Sequence, residues 1–366
     1  MNGKRRSDRH PAQRGVGLIE VMISIVIAML LVLVIYQVYE LSEGQKRTIT
    51  AGSDAQQNAT YGLHVLTRDV AVAGNGIASS ASVLSACPFD AVNPGPWLLP
   101  VPVVISTGAT DNDPDAITVL YGGSSSLSTP VQFKQTATTA DAYIVQSPVG
   151  FSPKDVIAAV QGTTCTVSTI NAAAGSVVVD PATGFATITQ TPVAGATPAT
   201  YAAFSASLVN LGQATSMGRI TYTVDTSTHA LRTQNQVPTA GPVNPVISDV
   251  VNLKVQYGLD TTIPPDGIID TWEDSNGAWW QGFLALAQTD PNRLTQLRQL
   301  LAVRVAIVTR SAQFEKDTVT PGPLGMFCDA PTTCAVSMTL AAADQHYRYK
   351  ILETIVPLRN ALWNPS

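Results

Sequence analysis

The chain has 366 residues, enough for two domains of ordinary size or for one large domain with an appendage. It is 45% hydrophobic and only 13% charged, which excludes a disordered chain, because disorder goes with low hydrophobicity and high charge. A formal net charge of -5 argues against nucleic-acid binding as the main task, since neutralising phosphates needs a basic face.

The first segment, residues 1–15, carries Lys4, Arg5, Arg6, Arg9 and Arg14 against a single acid, Asp8. Residues 16–36 follow as an apolar run whose one carboxylate is Glu20. At about 1.5 Å per residue, a helix over this run spans roughly 30 Å, the thickness of a hydrocarbon core. The basic flank stays in the cytoplasm, so everything beyond Tyr36 is expected outside it. A secretory signal peptide fits poorly: its apolar core is about 7–15 residues and ends in a small-residue cleavage site, whereas this run is longer and passes into QVYELSEGQKR. A carboxylate deep in a bilayer costs about 2.5–3.5 kcal/mol on insertion scales, so Glu20 reads as functional.

Arg14-Gly15-Val16-Gly17-Leu18-Ile19-Glu20-Val21-Met22 resembles the type III signal of type IV prepilins, in which a basic leader ends in Gly and an apolar segment with Glu at its fifth position follows. The resemblance implies cleavage between Gly15 and Val16 by prepilin peptidase on the cytoplasmic side, and methylation of the new amine of Val16. The family usually has Phe where this chain has Val16; the Gly and Glu spacing is intact. Cutting before the apolar segment keeps it first as a membrane anchor and then as a packing helix. In a filament core the carboxylate of Glu20 and a neighbour's Val16 amine offset each other's burial and fix axial register.

Beyond Glu40 the chain turns polar, but Ala59, Leu63, Leu66, Val70 and Ala73 recur at spacings of four and three, which predicts a continuing helix with one apolar stripe. One stalk helix over 16–76 is expected, with Gly74-Asn75-Gly76 as its stop and Gly44, Gly52 and Gly62 as points of bending or melting. The segment LTRDVAVAGNGI resembles the end of the stalk in PilW-like minor pilins.

From residue 77 the composition shifts to Thr, Ser, Ala, Val, Gly and Pro in alternating runs, which predicts a β-rich head over 77–366 and an α+β chain. Expected strands are Ala116–Tyr121, Val156–Val160, Ser176–Val179, Ala186–Gln190, a hairpin of 220–225 with 230–233, Leu253–Tyr257, and half-buried strands at 302–310 and 347–356 in one sheet. Short helices are expected at 279–287 and 292–301. GRITYTVD, VVNLKVQYGLD, VRVAIVTRS and IVPLRNALW also resemble PilW-like stations, whereas 78–215 resembles nothing specific.

Four cysteines are too few for a disulfide-dense scaffold and suit two staples in an exported chain. Cys328 and Cys334 bracket DAPTT, which makes a short-range bond easy; Cys87 and Cys165 remain, and sequence alone leaves three connectivities open. In residues 260–274, DTTIPPDGIIDTWED, the twelve-residue calcium loop can be laid with Gly267 sixth, Asp266 fifth, Asp270 ninth and Glu273 twelfth, but the first and third carboxylates are missing. A plain turn at Pro264-Pro265-Asp266-Gly267 is the leading reading and weak Ca²⁺ binding the alternative. Asp111, Asp113 and Asp115 read as a solvated turn. Trp272, Trp279, Trp280 and Phe283 read as core first and as an interaction surface second.

His64, His229 and His346 stand apart without a nucleophile motif, and no enzyme is expected. The resemblance implies a minor pilin of a type IV pilus. It is inserted in the inner membrane with its C-terminus outside, then placed at the pilus and cell surface in an initiation or tip complex. Its expected partners are prepilin peptidase, other minor pilins and the major pilin, with no direct nucleic-acid contact. A type II secretion minor pseudopilin and a surface adhesin or Ca²⁺-dependent binding module are the alternatives.

Overall fold

A computed structural model describes residues 17–77, 80–84, 101–123, 129–193, 196, 198–236, 241–286, 290, 292–330 and 333–362. The chain divides into two units, Met1–Ala51 and Gly52–Ser366. A single helix, Leu18–Ala71, contains all three stalk glycines without leaving the helical state. Gly44 and Gly52 have nothing near the position of a Cβ. Gly62 has a specific use: a Cβ there meets the side chain of Ile247, so its bareness lets the helix approach the sheet closely. The expected melted turns do not form, and Gly62 serves a packing contact.

The helix stops at Ala71, a few residues before the expected stop, and residues 72–77 form turns. Gly74 and Gly76 take φ of 77° and 67°, the left-handed region that glycine occupies without Cβ strain. The Gly74 amide donates to Leu120 O at 2.8 Å, and the Gly122 amide donates to Asn75 O at 2.7 Å. Asn360 Nδ2 donates to Ala73 O, so the end of the chain returns to satisfy the helix terminus.

Within the second unit, two sheets share one core with the last helical turns. The first has the strand order Val103–Ser106, Ala116–Tyr121, Gly218–Asp225, Ala230–Asn235, Val243–Ile247. The second runs Thr271–Glu273, Val250–Leu259, Leu300–Arg310, Tyr349–Pro357, antiparallel throughout. Ile117 and Val119 from one sheet, and Leu253, Val255, Val303, Val305 and Ile307 from the other, bury against Leu66, Val70 and Ala73 of the helix and the turn after it. Asp69, on the same turn of the helix, accepts a 2.6 Å bond from Tyr222 Oη and pairs with Arg68 at 3.0 Å. Burial and the adjoining carboxylate push the Tyr222 phenol well above its ordinary pKa, so it remains a donor.

The 302–310 strand starts earlier, at Leu300, which cuts the expected 292–301 helix back to Asn292–Arg298. That strand is buried on both faces rather than half-buried. Its second face is covered by the hairpin of Leu324–Ala330 with Thr333–Met338, which packs Met326, Phe327 and Val336 on Ala306 and Val308. Cys328 and Cys334 close this hairpin as a disulfide. A loop this short gives a modest entropic staple of about 2 kcal/mol. Replacing both cysteines by serine is therefore expected to lower stability by about that amount, read by thermal unfolding of the detergent-solubilised chain with and without reductant. Only the unsubstituted chain should respond to reductant at this hairpin.

Between Tyr121 and Gly218 the chain leaves this framework. It builds a sheet in the order Gln190–Pro192, Thr164–Ile170, Asp155–Gln161, Ser207–Gln213, Val131–Gln132. This insertion has its own core, in which the rings of Phe133, Tyr143 and Tyr201 meet at 5.1 to 6.2 Å. Its strand at Ser207–Gln213 breaks register between Asn210 and Gly212, where Asn210 Nδ2 donates to Asp155 at 2.8 Å.

Candidate functional site

The first unit holds the signal-bearing end. Gly17 O accepts the amides of Glu20 and Val21, so Glu20 lies in the opening turn of the helix, where a carboxylate complements the helix dipole. Gly15 and Val16 lie outside the described residues. From Leu18 to Tyr39 the large side chains are exposed on every face, from Leu18 at 80% to Val21 at 46%. A helix apolar all round has no water-facing side and requires a lipid or protein surround. This helix is long and apolar enough to cross a membrane. Polar character begins at Glu40, and Glu43 and Arg47 then meet one turn apart at 3.5 Å on the exposed surface.

In the acidic turn the carboxylates are engaged by backbone amides. Asp270 Oδ2 accepts from the amides of Thr261 and Thr262 at 2.7 and 3.0 Å and from both their hydroxyls. These donors hold its carboxyl below the ordinary carboxylate range. Asp266 Oδ1 turns onto the Ile268 amide, and Glu273 Oε2 accepts the Trp279 amide at 3.0 Å. Among the described residues no group of three His, Cys, Asp or Glu side chains is placed to hold a metal ion. The carboxylates that suggested a calcium loop accept backbone amides of their own turn and, for Glu273, of the helix that follows.

Asp115 of the D-x-D-x-D stretch is buried, not solvated. It pairs with Lys254 Nζ at 3.0 Å and accepts the Gly108 and Val255 amides at 2.9 Å each. Nothing local in either strand signals that pairing. Trp279, Trp280 and Phe283 are core, packed with Tyr257 on one wall of the shared interior, while Trp272 is half-buried beneath the Arg304 guanidinium, 4.8 Å from its ring. The interaction-surface reading of these aromatics therefore lapses. Cys165 is disulfide-bonded, and Cys87 lies outside the described residues.

Comparison with known proteins addresses both ends of the chain. Residues 10–36 match the prokaryotic N-terminal methylation motif, and residues 221–360 match the family described as Type IV Pilus-assembly protein W. The second match begins where the chain has returned from its insertion and takes in most of the two-sheet framework. Among solved structures, the Type IV-like pilin TTHA1219 from Thermus thermophilus aligns at 14% identity over 57% of this chain and 85% of its own, with a TM-score of 0.26. No curated protein matches. The N-terminal segment thus joins a prepilin-type methylation motif to a helix long and apolar enough to cross a membrane. With a pilus-assembly match on the head and a methylation motif on the stalk, the chain is similar to type IV pilus-assembly protein W over residues 221–360 and carries a prepilin-type signal over residues 10–36.

Proposed function

We propose that this subunit is cut between Gly15 and Val16 by prepilin peptidase, methylated on Val16, and drawn from the inner membrane into a minor-pilin complex that initiates or tips the pilus. Before assembly the helix spans the bilayer with the head outside; afterwards the head lies at the cell surface among other minor pilins and the major pilin. The observation that carries this reading is the stalk: an apolar surface exposed on every face, with one carboxylate, Glu20, in its first turn. In lipid that surface needs no partner. In a filament the same surface packs against other stalks, and Glu20 meets the amine of a neighbour's Val16, which sets register by charge pairing. The head contributes contacts rather than chemistry, a structural rather than an enzymatic role.

Mass spectrometry of sheared surface filaments tests the reading, with a methylated peptide beginning at Val16 as the expected result. A chain still beginning at Met1 overturns it. Glu20→Ala is expected to be processed normally yet to fall about tenfold or more in filaments, the loss that follows from removing one charge-assisted contact of about 1.5–3 kcal/mol. Undiminished incorporation of that variant defeats the register role of Glu20.

A further inference from the structure

The Val250–Leu259 strand and its partner Thr271–Glu273 are joined by a loop in which residues 261–268 are all exposed. Such a loop ordinarily keeps much conformational freedom, and ordering it on binding is costly. Here two carboxylates restrain it in advance. Asp260, fully buried at the neck, accepts the amides of Thr262 at 3.1 Å and Gly267 at 2.7 Å, and so draws the two sides of the loop together. Asp270 holds Thr261 and Thr262 from the other side through four bonds. Gly267, at φ 79°, supplies the left-handed residue that lets the chain turn back.

The braced loop presents two isoleucines to solvent: Ile263 is 89% exposed and Ile268 63%. Apolar area on a preordered support is what an interface anchor requires, because its burial is not offset by loop ordering. Charge then selects the partner. Residues 255–292 contain six carboxylates and no lysine or arginine, and Asp266 and Asp270 stand exposed beside the isoleucines. An anionic bilayer surface repels such a loop, whereas a protein socket with an apolar floor and a Lys/Arg rim complements both features.

We infer that the Ile263–Ile268 loop is a docking knob that inserts into a basic-rimmed apolar socket on another subunit of the pilus. The inference rests on the pilin reading above and names the part of the head that makes its heterologous contact.

Photo-crosslinking of the full-length chain in piliated cells tests it, with a benzophenone amino acid in place of Ile263. The expected adduct is to another pilus subunit, at an apolar peptide flanked by Lys or Arg. Adducts to lipid, or none, overturn the proposal. Ile263→Ser combined with Ile268→Ser alters only exposed positions and is expected to leave processing and melting temperature unchanged while reducing incorporation into filaments about tenfold. Equal incorporation overturns the knob. Asp266→Lys is expected to lower the cross-linking yield of the Ile263 probe, and a rise in yield overturns the basic rim. If the unsubstituted chain is absent from filaments, the pilin reading fails by itself, and the identity of the cross-linked peptide in the membrane still decides whether the loop has a protein socket.

Discussion

Lys254→Met is expected to destabilise the head by about 3–5 kcal/mol, the usual effect of removing one partner from a buried ion pair. Lys254 and Asp115 are almost completely buried, with side chains 4% and 2% exposed. The ammonium is saturated, bonding Asp115 Oδ1 at 3.0 Å and the carbonyl oxygens of Asp113 at 2.7 Å and Thr110 at 3.1 Å. Methionine fills the same volume but leaves two carbonyls and a buried carboxylate without their cation. Burial already pushes the Asp115 carboxyl above its ordinary range, opposed by the Gly108 and Val255 amides and by Lys254. Removing Lys254 deletes one of the opposing influences and raises it further.

The sign of the pH dependence follows. A carboxyl whose pKa is raised in the fold favours folding fully below its unfolded value, about 3.9, and that contribution is lost as pH rises through the folded value. The deficit of Lys254→Met is therefore expected to be smaller near pH 4 than at pH 7, as measured by urea unfolding at both. Adding Asp115→Asn to Lys254→Met should recover part of the neutral-pH loss, because the uncompensated charge is gone while an acceptor remains for a backbone amide. Strict additivity of the two substitutions would show that the pair is not coupled.

This pair also marks where sequence reading stops. The Asn252, Lys254 and Gln256 side of its strand looks like a solvent face, because alternation alone cannot say what covers the polar side. What covers it comes from far along the chain: the 324–338 hairpin on one side, and on the other the 107–115 turn, 139 residues before Lys254. The stalk was legible for the opposite reason. The Gly15–Glu20 spacing, the apolar run and the spacing of Leu63, Leu66 and Val70 are all local, and local periodicity survives into structure. Strands at 116–121, 220–225 and 230–233 were legible by alternation and turn residues, the latter two extending in the fold to 218–225 and 230–235, while the sheet order of the insertion was not, since pairing is non-local. The acidic turn was legible only as two alternatives, because a carboxylate capping backbone amides and one ligating a cation share the same residue types.

Phe283→Ala is expected to cost about 3–5 kcal/mol, the range for truncating a large buried aromatic. Phe283 is fully buried in the Ala278–Ala285 helix, one turn from Trp279 and Trp280, with ring centroids at 6.3 and 5.7 Å. The following helix, Asn292–Arg298, lays the Arg293 guanidinium over the free face of the same ring at 4.8 Å. Arg293 is 4% exposed, and its buried Nε has no hydrogen-bond partner among the described residues. Burial disfavours its charge and lowers its pKa. The quadrupole of the Phe283 ring then offers this desolvated cation a compensation, an interaction that reaches about 2 kcal/mol when water is excluded. Alanine removes both the packing volume and that compensation. Phe283→Leu separates the two, because it keeps most of the volume and loses the ring. Thermal and urea unfolding of Phe283→Leu should give an intermediate loss, and Arg293→Met should cancel most of it in the double variant. If Phe283→Leu is as stable as the parent chain, the ring contributes packing alone and the buried arginine draws its compensation from elsewhere.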